Sequence, residues 1–142
     1  MTTATETKTL KFAIVAALTI GAPLEGGTFA GVITLPGGAH VAVALLPDRP
    51  DVRMNWADAK AWAESIEGQL PTRPVAALLY ANAKAQFERD WYWTSDELQT
   101  DTGDEGDASY AWLCSFSSGG QGYDRKGLTG AARAVRLIHL ID

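Results

Sequence analysis

The sequence has very few of the residues that cross-link small proteins or bind metals in them. Among its 142 residues there is one cysteine, Cys114, and there are two histidines, His40 and His139. A single cysteine cannot form an internal disulfide, and it excludes a cysteine-rich zinc site. The histidines lie far apart in sequence, so a histidine metal centre would require the fold to bring them together. We therefore expect no metal and no cofactor.

Basic charge is also scarce. The formal net charge is −5, and the lysines and arginines are scattered along the chain. An acidic surface repels phosphate groups, so we expect no nucleic acid and no membrane among the partners. The hydrophobic fraction of 46% and the charged fraction of 20% are ordinary for globular proteins. The length then predicts a single domain, residues 1–142, with a sizeable core.

The apolar run from Phe12 to Ala22 is too short to cross a bilayer. With Lys8 and Lys11 before it, the run resembles a secretory signal, but Glu6 also precedes it and no Ala-x-Ala cleavage site follows. The alternative is a buried strand over Phe12–Ile20. We favour the strand, and with it a soluble protein that is cytoplasmic or virion-associated rather than secreted.

The N-terminal third predicts a loose arm followed by strands. Residues 1–9 are polar and threonine-rich, which is typical of an unanchored end. Residues 10–50 are predicted to hold the N-terminal strands and a hairpin. Its two strands, 29–35 and 40–46, flank Pro36-Gly37-Gly38, where proline presets one turn torsion and glycine tolerates the other. His40 is expected at the surface or edge of this hairpin.

Two helices are predicted in the middle of the chain. Asn55 is a good N-cap for a helix over 56–67, whose apolar residues recur at helical spacing, and Gly68 is the expected stop. Thr72 is predicted to begin a second helix that runs to about Phe87, with Pro74 tolerated in its first turn.

The C-terminal part is predicted to be mainly β. The aromatic segment 91–95 favours a strand, residues 96–108 a polar acidic loop, and residues 110–117 a second strand. A turn over 118–122, a short strand near 123–126 and a final strand over 132–141 follow. Because helices and strands are segregated, the fold class is α+β, and the first and last strands are expected to pair.

Four motifs in the second half of the chain occur together in a known family. They are Leu70-Pro71-Thr72-Arg73, Trp91-Tyr92-Trp93-Thr94-Ser95, Ala111-Trp112 with Phe116 and Gly119, and Ala132-Arg133-Ala134-Val135-Arg136-Leu137-Ile138. With these motifs the chain resembles the C-type-lectin-like family of the Legionella collagen-like protein C-terminal domain, in its short phage and prophage form. Val75 stands where that family usually has glutamate, which weakens a capping box.

The resemblance implies a C-type-lectin-like fold over 55–141, with two helices packed on small antiparallel sheets and an N-terminal β-hairpin before them. It implies no established enzymatic activity. In some relatives, diversity-generating retroelements randomise codons of a C-terminal segment, which here is about 113–129. The implied ligand-binding residues are Leu113, Ser115, Ser117, Ser118, Gly120, Gln121, Gly122, Tyr123, Asp124 and Leu128. Serine, glycine and tyrosine are typical of adaptable binding surfaces.

The resulting hypothesis is a non-catalytic binding module of phage or prophage origin, which presents this surface to a protein or glycan ligand. A structural virion or assembly protein with a fixed contact surface is one alternative, and a homo-oligomer stays open. A small enzyme using Cys114 is another alternative, and it would need a base such as His139 within hydrogen-bond reach of the thiol. A small apolar core residue is the default for a free cysteine.

Several residues allow both a structural and a functional interpretation. Trp93 and Trp112 are expected in the core rather than on a sugar-stacking platform, whereas Trp91 is left open. The acidic loop Asp101–Asp107 could hold calcium, but its spacing favours a solvated turn. Arg133 and Arg136 could bind an anion, and bracing of loops is favoured for both.

Overall fold

Two β-sheets and three α-helices build the part of the chain described by the computed structural model, residues 9–98 and 108–142. The strands are β1 (Thr9–Lys11), β2 (Pro23–Leu24), β3 (Gly27–Thr34), β4 (His40–Leu45), β5 (Trp91–Glu97), β6 (Tyr110–Ser115), β7 (Gln121–Arg125) and β8 (Val135–Ile141). The helices are α1 (Phe12–Ala16), α2 (Trp56–Ser65) and α3 (Arg73–Ala83), and α3 continues into a 3₁₀ turn over Lys84–Gln86. The predicted α+β class is confirmed.

The larger sheet has the strand order β1-β8-β4-β3-β2, and the smaller sheet has the order β5-β6-β7. The last strand pairs in parallel with β1, Thr9 with His139 and Lys11 with Ile141, whereas the predicted pairing with a strand over Phe12–Ile20 does not form. All other pairings between strands of the larger sheet are antiparallel. The larger sheet is therefore mixed, and the prediction of only antiparallel sheets holds for the smaller one.

The predicted hairpin forms the centre of the larger sheet. Strands β3 and β4 pair from Thr34 opposite His40 to Thr28 opposite Leu45, with a bulge between Phe29 and Gly31. Strand β4 lies between β3 and β8, and its residues from Val41 to Leu45 are almost completely buried. His40 is exposed at the start of β4, as expected, and its Nδ1 lies 2.9 Å from the Thr34 hydroxyl.

The prediction of a strand over Phe12–Ile20 is wrong. The first strand ends at Lys11, and Phe12–Ala16 forms one short helix. Within that helix only Val15 is buried, whereas Phe12 and Ile14 are 44% and 56% exposed. A short apolar run has no decisive period, and here one side chain facing the sheet is enough to position a helical turn across it.

Helix α2 begins and ends with backbone groups that have hydrogen-bond partners. The Asn55 side chain accepts a hydrogen bond of 2.9 Å from the Asp58 N–H, as predicted for an N-cap. At the other end Gly68 N–H donates to Ala63 and Glu67 N–H to Glu64, the paired bonds of a Schellman motif. The left-handed residue of this motif is Glu67, with φ of 59°, rather than the predicted Gly68.

Helix α3 is capped from two directions. The Thr72 hydroxyl accepts from the Val75 N–H at 3.3 Å, so the predicted N-cap is confirmed. The Arg73 N–H donates to the Asp96 carboxylate at 2.7 Å, which places a negative charge at the positive end of the helix dipole. Asp96, on β5, thus supplies a capping carboxylate from outside the helix.

The core has three parts. One lies between the larger sheet, α3 and the smaller sheet and contains Val43, Leu79 and Cys114. A second joins α2 to the smaller sheet around Trp93 and Ala63. The third lies under α1, on the opposite face of the larger sheet. The smaller sheet is consequently fixed by both larger helices, which makes it a firm support for surface residues.

None of the helices in the described ranges is long and apolar enough to cross a membrane.

Candidate functional site

The smaller sheet carries a groove on the face turned away from α3. Trp93 pairs with Leu113, and Leu113 pairs with Gly122, so these three residues lie side by side across β5, β6 and β7. Side chains alternate along a strand, which puts Trp91 on the same face as Trp93. The Trp91 ring lies 3.8 Å from where a Cβ of Gly122 would stand, and it therefore passes over the backbone of β7.

The groove has a volume of about 280 Å³. It is lined by Arg53, Trp91, Trp93, Leu113, Gly122, Tyr123, Asp124, Leu128 and Thr129. Trp93 and Leu113 are buried and form its floor, at 1% and 7% exposure. The floor belongs to the core, so the bottom of the groove has a fixed shape.

Large apolar side chains are concentrated around the groove. Trp91 and Leu128 are 45% and 50% exposed, although each could bury a large area. Isolated exposed apolar residues are common, but a group that lines one depression is typical of a binding surface. The groove can therefore offer a ligand both apolar and aromatic contact.

Polar groups stand at the margin of the groove. Arg53 forms an ion pair with Asp90 and donates to the Thr129 carbonyl at 2.9 Å. The Asp90 carboxylate also accepts from the Trp91 N–H at 2.7 Å. Arg53 is thereby held at the wall of the groove and fixed to the strand that carries Trp91. Asp124 adds a carboxylate from the edge strand β7.

Tyr123 is held in place by other aromatic rings. Its ring meets the rings of Trp112 and Tyr110 edge to face, with centroids 5.1 and 5.9 Å apart. The Arg73 guanidinium covers the Trp112 ring at 3.5 Å from its centroid. The Tyr123 ring thus lies on the α3 side of the smaller sheet, opposite the groove, and the residue borders the groove only as part of the edge strand β7.

Half of the residues predicted to bind a ligand line the groove. The structure brings together Leu113, Gly122, Tyr123, Asp124 and Leu128. The other five do not line it and form the turn between β6 and β7 with its flanks: Ser115, Ser117, Ser118, Gly120 and Gln121. The contiguous segment 113–129 therefore contains two different surfaces.

The residues outside the groove have structural contacts of their own. Ser115 is buried, and its hydroxyl accepts from the N–H groups of Ser117 and Ser118 at 3.2 and 3.3 Å. The Gln121 amide accepts from the Arg73 side chain at 2.9 Å and donates to the Arg73 carbonyl at 2.8 Å. These contacts give Ser115 and Gln121 a role in ordering the turn and the start of α3.

The three tryptophans of the smaller sheet differ in burial, and one of them is more exposed than predicted. Trp93 is buried as expected, and its indole N–H donates to the Met54 carbonyl at 2.9 Å. Trp112 was expected in the core but is only half-buried, because it faces the Arg73 guanidinium at the sheet surface. Trp91, which the sequence left open, is the tryptophan that stands over the groove.

Cys114 lies in the core, as expected for a free cysteine, with no measurable exposure. Burial raises the pKa of its thiol, which lowers the amount of the reactive thiolate. Cys114 is in β6 and His139 is in β8 of the other sheet. The structure therefore does not place the thiol on a surface where a substrate could reach it.

The two arginines of the C-terminal motif brace loops, as favoured. Arg136 donates to the carbonyls of Glu67, Ile66 and Glu25 at 3.0, 3.1 and 2.7 Å. Arg133 donates to the carbonyls of Gln86 and Leu46. Each side chain therefore joins segments far apart in sequence.

The candidate calcium loop Asp101–Asp107 lies outside the described residues. Within residues 9–98 and 108–142, no three histidine, cysteine, aspartate or glutamate side chains are grouped so that they could hold a metal ion.

Four residues of the groove were not among the predicted ligand-binding residues. Trp91 and Trp93 alternate in the sequence with Tyr92 and Thr94, and this pattern could have placed both tryptophans on one face of a strand. Arg53 and Thr129 lie in connections without a motif, so only the tertiary structure brings them to the groove.

No model of a known protein family matches the chain, and no curated protein matches its sequence. The resemblance to the C-type-lectin-like family thus stays a prediction.

Proposed function

We propose that this chain is a non-catalytic ligand-binding module with a C-type-lectin-like fold, of phage or prophage origin, and that the groove on its smaller sheet contacts a protein or glycan. One observation carries the proposal. Two large exposed side chains, Trp91 and Leu128, line one groove whose floor is part of the core. Such a combination of a fixed floor and exposed anchors suits recognition.

The chemistry of the groove suits a ligand with apolar and polar faces. Trp91 offers an aromatic surface, while Arg53 and Asp124 offer a donor group and a carboxylate at the margin. Sugars and mixed protein surfaces both present this alternation of C–H and polar groups. Since Arg53 is held by Asp90 and Thr129, little ordering is left for the ligand to induce on that side.

The first test uses immobilised bacterial glycans and bacterial surface proteins as probes for the purified protein. Trp91→Ala should abolish or strongly reduce binding to any probe that the native protein retains, because it removes the largest exposed anchor. Phe12→Ala is the matched control, since Phe12 is equally exposed at 44% but belongs to the larger-sheet side of the molecule. Equal loss in both variants would count against the groove.

A second pair of variants separates the groove from the neighbouring turn. Replacing Asp124 and Leu128 together should change ligand choice while the fold is kept, because both are exposed. Replacing Ser117 and Ser118, which are exposed outside the groove, should leave binding unchanged. Loss of folding in the first variant would contradict the division between support and contact surface. An oligomer that buries 113–129 would favour a fixed assembly contact instead.

Diversification by a retroelement is part of the proposal and has its own test in the DNA around the gene. We expect a nearby reverse transcriptase gene and a near-copy of the segment that encodes 113–129, differing mainly at adenines. If neither is present, the groove is one fixed interface and diversification is rejected, whereas ligand binding is still judged by the probes above.

A further inference from the structure

A second depression is lined by a buried arginine, Arg133, and one of the nitrogens of its guanidinium has no hydrogen-bond partner. Arg133 is 2% exposed, and two of its guanidinium nitrogens donate to the carbonyls of Gln86 and Leu46. The third nitrogen, Nε, is buried without a hydrogen-bond partner. The guanidinium also lies over the Phe87 ring, 4.9 Å from its centroid. Such orphaned donors are rare in native structures, because each costs free energy.

The charge of Arg133 is not paired by a carboxylate. Among the ion pairs of the described residues, with partners within 4.0 Å, none involves Arg133. Burial, followed by the like charge of Arg49, lowers the pKa of its guanidinium to about 10. The group therefore stays charged at neutral pH although its charged form is penalised. A buried cation of this kind is stabilised by an anion brought close to it.

Arg133 lines an open depression that can admit such an anion. We name it the arginine cleft; its volume is about 210 Å³. It is lined by Arg49, Pro50, Asp51, Val52, Arg53, Glu88, Asp90, Tyr92, Ala131, Ala132 and Arg133. Three arginines from two separate segments of the chain thus converge on one cleft. Of these, Arg53 is already paired with Asp90, whereas Arg49 is exposed beside the cleft.

The remaining charges decide which anion fits. Asp51 and Glu88 also line the cleft and are exposed, so a dianion would be repelled at its margin. A planar group with one negative charge matches the fork of an arginine and meets less repulsion. We propose that the arginine cleft is a binding site for the carboxylate group of a small ligand, with Arg49 and Arg53 in contact and the buried Arg133 charge behind them.

Nuclear magnetic resonance of the arginine Nε–H groups tests this site directly, with acetate as the probe at constant ionic strength. A carboxylate bound in the cleft changes the electric field at the buried Arg133 guanidinium, so its Nε–H resonance should shift saturably as acetate is added, at roughly millimolar concentrations for so small a ligand. Sodium chloride and inorganic phosphate are the comparison anions. An equal shift with chloride would mean general screening and would overturn the proposal. Tighter binding of phosphate would overturn the carboxylate assignment.

Substitution of two exposed residues of the cleft should change the affinity for acetate in opposite directions. Arg49→Gln should weaken acetate binding about threefold, and Glu88→Gln should strengthen it by a similar factor. Arg89→Gln removes a charge from an exposed neighbour that does not line the cleft, and it should leave the affinity almost unchanged. Because all three side chains are exposed, the variants should fold. An affinity that is the same in Arg49→Gln, Glu88→Gln and the native protein would reject the site.

Discussion

At the scale of single residues, Glu67 occupies a backbone conformation that glycine adopts more easily. Its φ of 59° belongs to the left-handed region at the end of α2, while its side chain is almost fully exposed. A side chain at such a position costs free energy through contact with the neighbouring carbonyl. The Arg136 guanidinium, 4.0 Å from the exposed Glu67 carboxylate, does not offset that cost appreciably.

We predict that Glu67→Gly stabilises the protein by about 1 kcal/mol, since glycine is the preferred residue of this cap. Urea denaturation measures the change. Gly68→Ala is the opposite control: a Cβ there would stand 2.8 Å from the Leu46 side chain and 3.1 Å from the Val135 carbonyl. That variant should lose about 1–3 kcal/mol through overpacking. A lower urea midpoint for Glu67→Gly would contradict the analysis of the cap.

Cys114 gives a second prediction at this scale. Because the thiol is buried and burial raises its pKa, iodoacetamide at pH 8 should leave the native protein unmodified, as measured by mass spectrometry. In concentrated urea the same reagent should modify the single cysteine rapidly. Equal rates in the two conditions would show that the thiol is accessible and would revive a nucleophilic role.

At the scale of elements, single arginine side chains join segments that lie far apart in the chain. Arg136 of β8 connects the end of α2 with the connection between β2 and β3. A positive charge at a helix C-terminus is also favoured by the helix dipole. One side chain thereby fixes the position of α2 against the larger sheet.

We predict that Arg136→Lys destabilises the protein by about 1–2 kcal/mol. A lysine ammonium keeps the charge but cannot donate in three fixed directions, so at least one carbonyl loses its partner. Thermal unfolding followed by circular dichroism measures the effect, with Arg89→Lys as the exposed control. If both variants melt at the same temperature, the contacts of Arg136 contribute nothing to stability.

At the scale of the whole molecule, the two sheets share a core. The cluster around α3 contains Val43 and Val135 of the larger sheet together with Tyr92 and Cys114 of the smaller one. Separating the sheets would expose all of these side chains to water. The described part of the chain should therefore unfold as one cooperative unit.

The positions of the tryptophans make cooperativity measurable. All five lie between residues 56 and 112, in α2 and the smaller sheet, whereas far-ultraviolet circular dichroism reports on both sheets. We predict that the urea transitions observed by tryptophan fluorescence and by circular dichroism coincide. If the fluorescence transition has a different urea midpoint from the circular dichroism transition, the two sheets unfold separately.

Much of the fold could be predicted from the sequence where local signals agreed. Asn55 and Thr72 mark the starts of both larger helices because a cap acts within one turn, and Pro36-Gly37-Gly38 marks the hairpin for the same reason. The segment from Phe12 onward could not be assigned, since its structure depends on Val15 meeting a sheet formed by distant strands. The parallel direction of β1 likewise has no local signal.

The candidate site could be predicted only in part. Tyr123 and Asp124 were found through composition and resemblance, and the groove contains both. Ser115 and Gln121 were included because polar residues in such a segment look alike in sequence, yet one is buried and the other holds α3. Arg53 and the unpartnered Nε of Arg133 are consequences of packing between segments far apart in the chain.

Arg53 lines both the groove and the arginine cleft, so the two proposed sites would be linked thermodynamically if an occupant of one moves this side chain. An anion that draws Arg53 away from Asp90 and the Thr129 carbonyl would reshape one wall of the groove and change its affinity. By reciprocity, the ligand in the groove would then change the affinity for the anion by the same factor. One side chain would in this way make a small metabolite an effector of recognition, with no rearrangement of the fold.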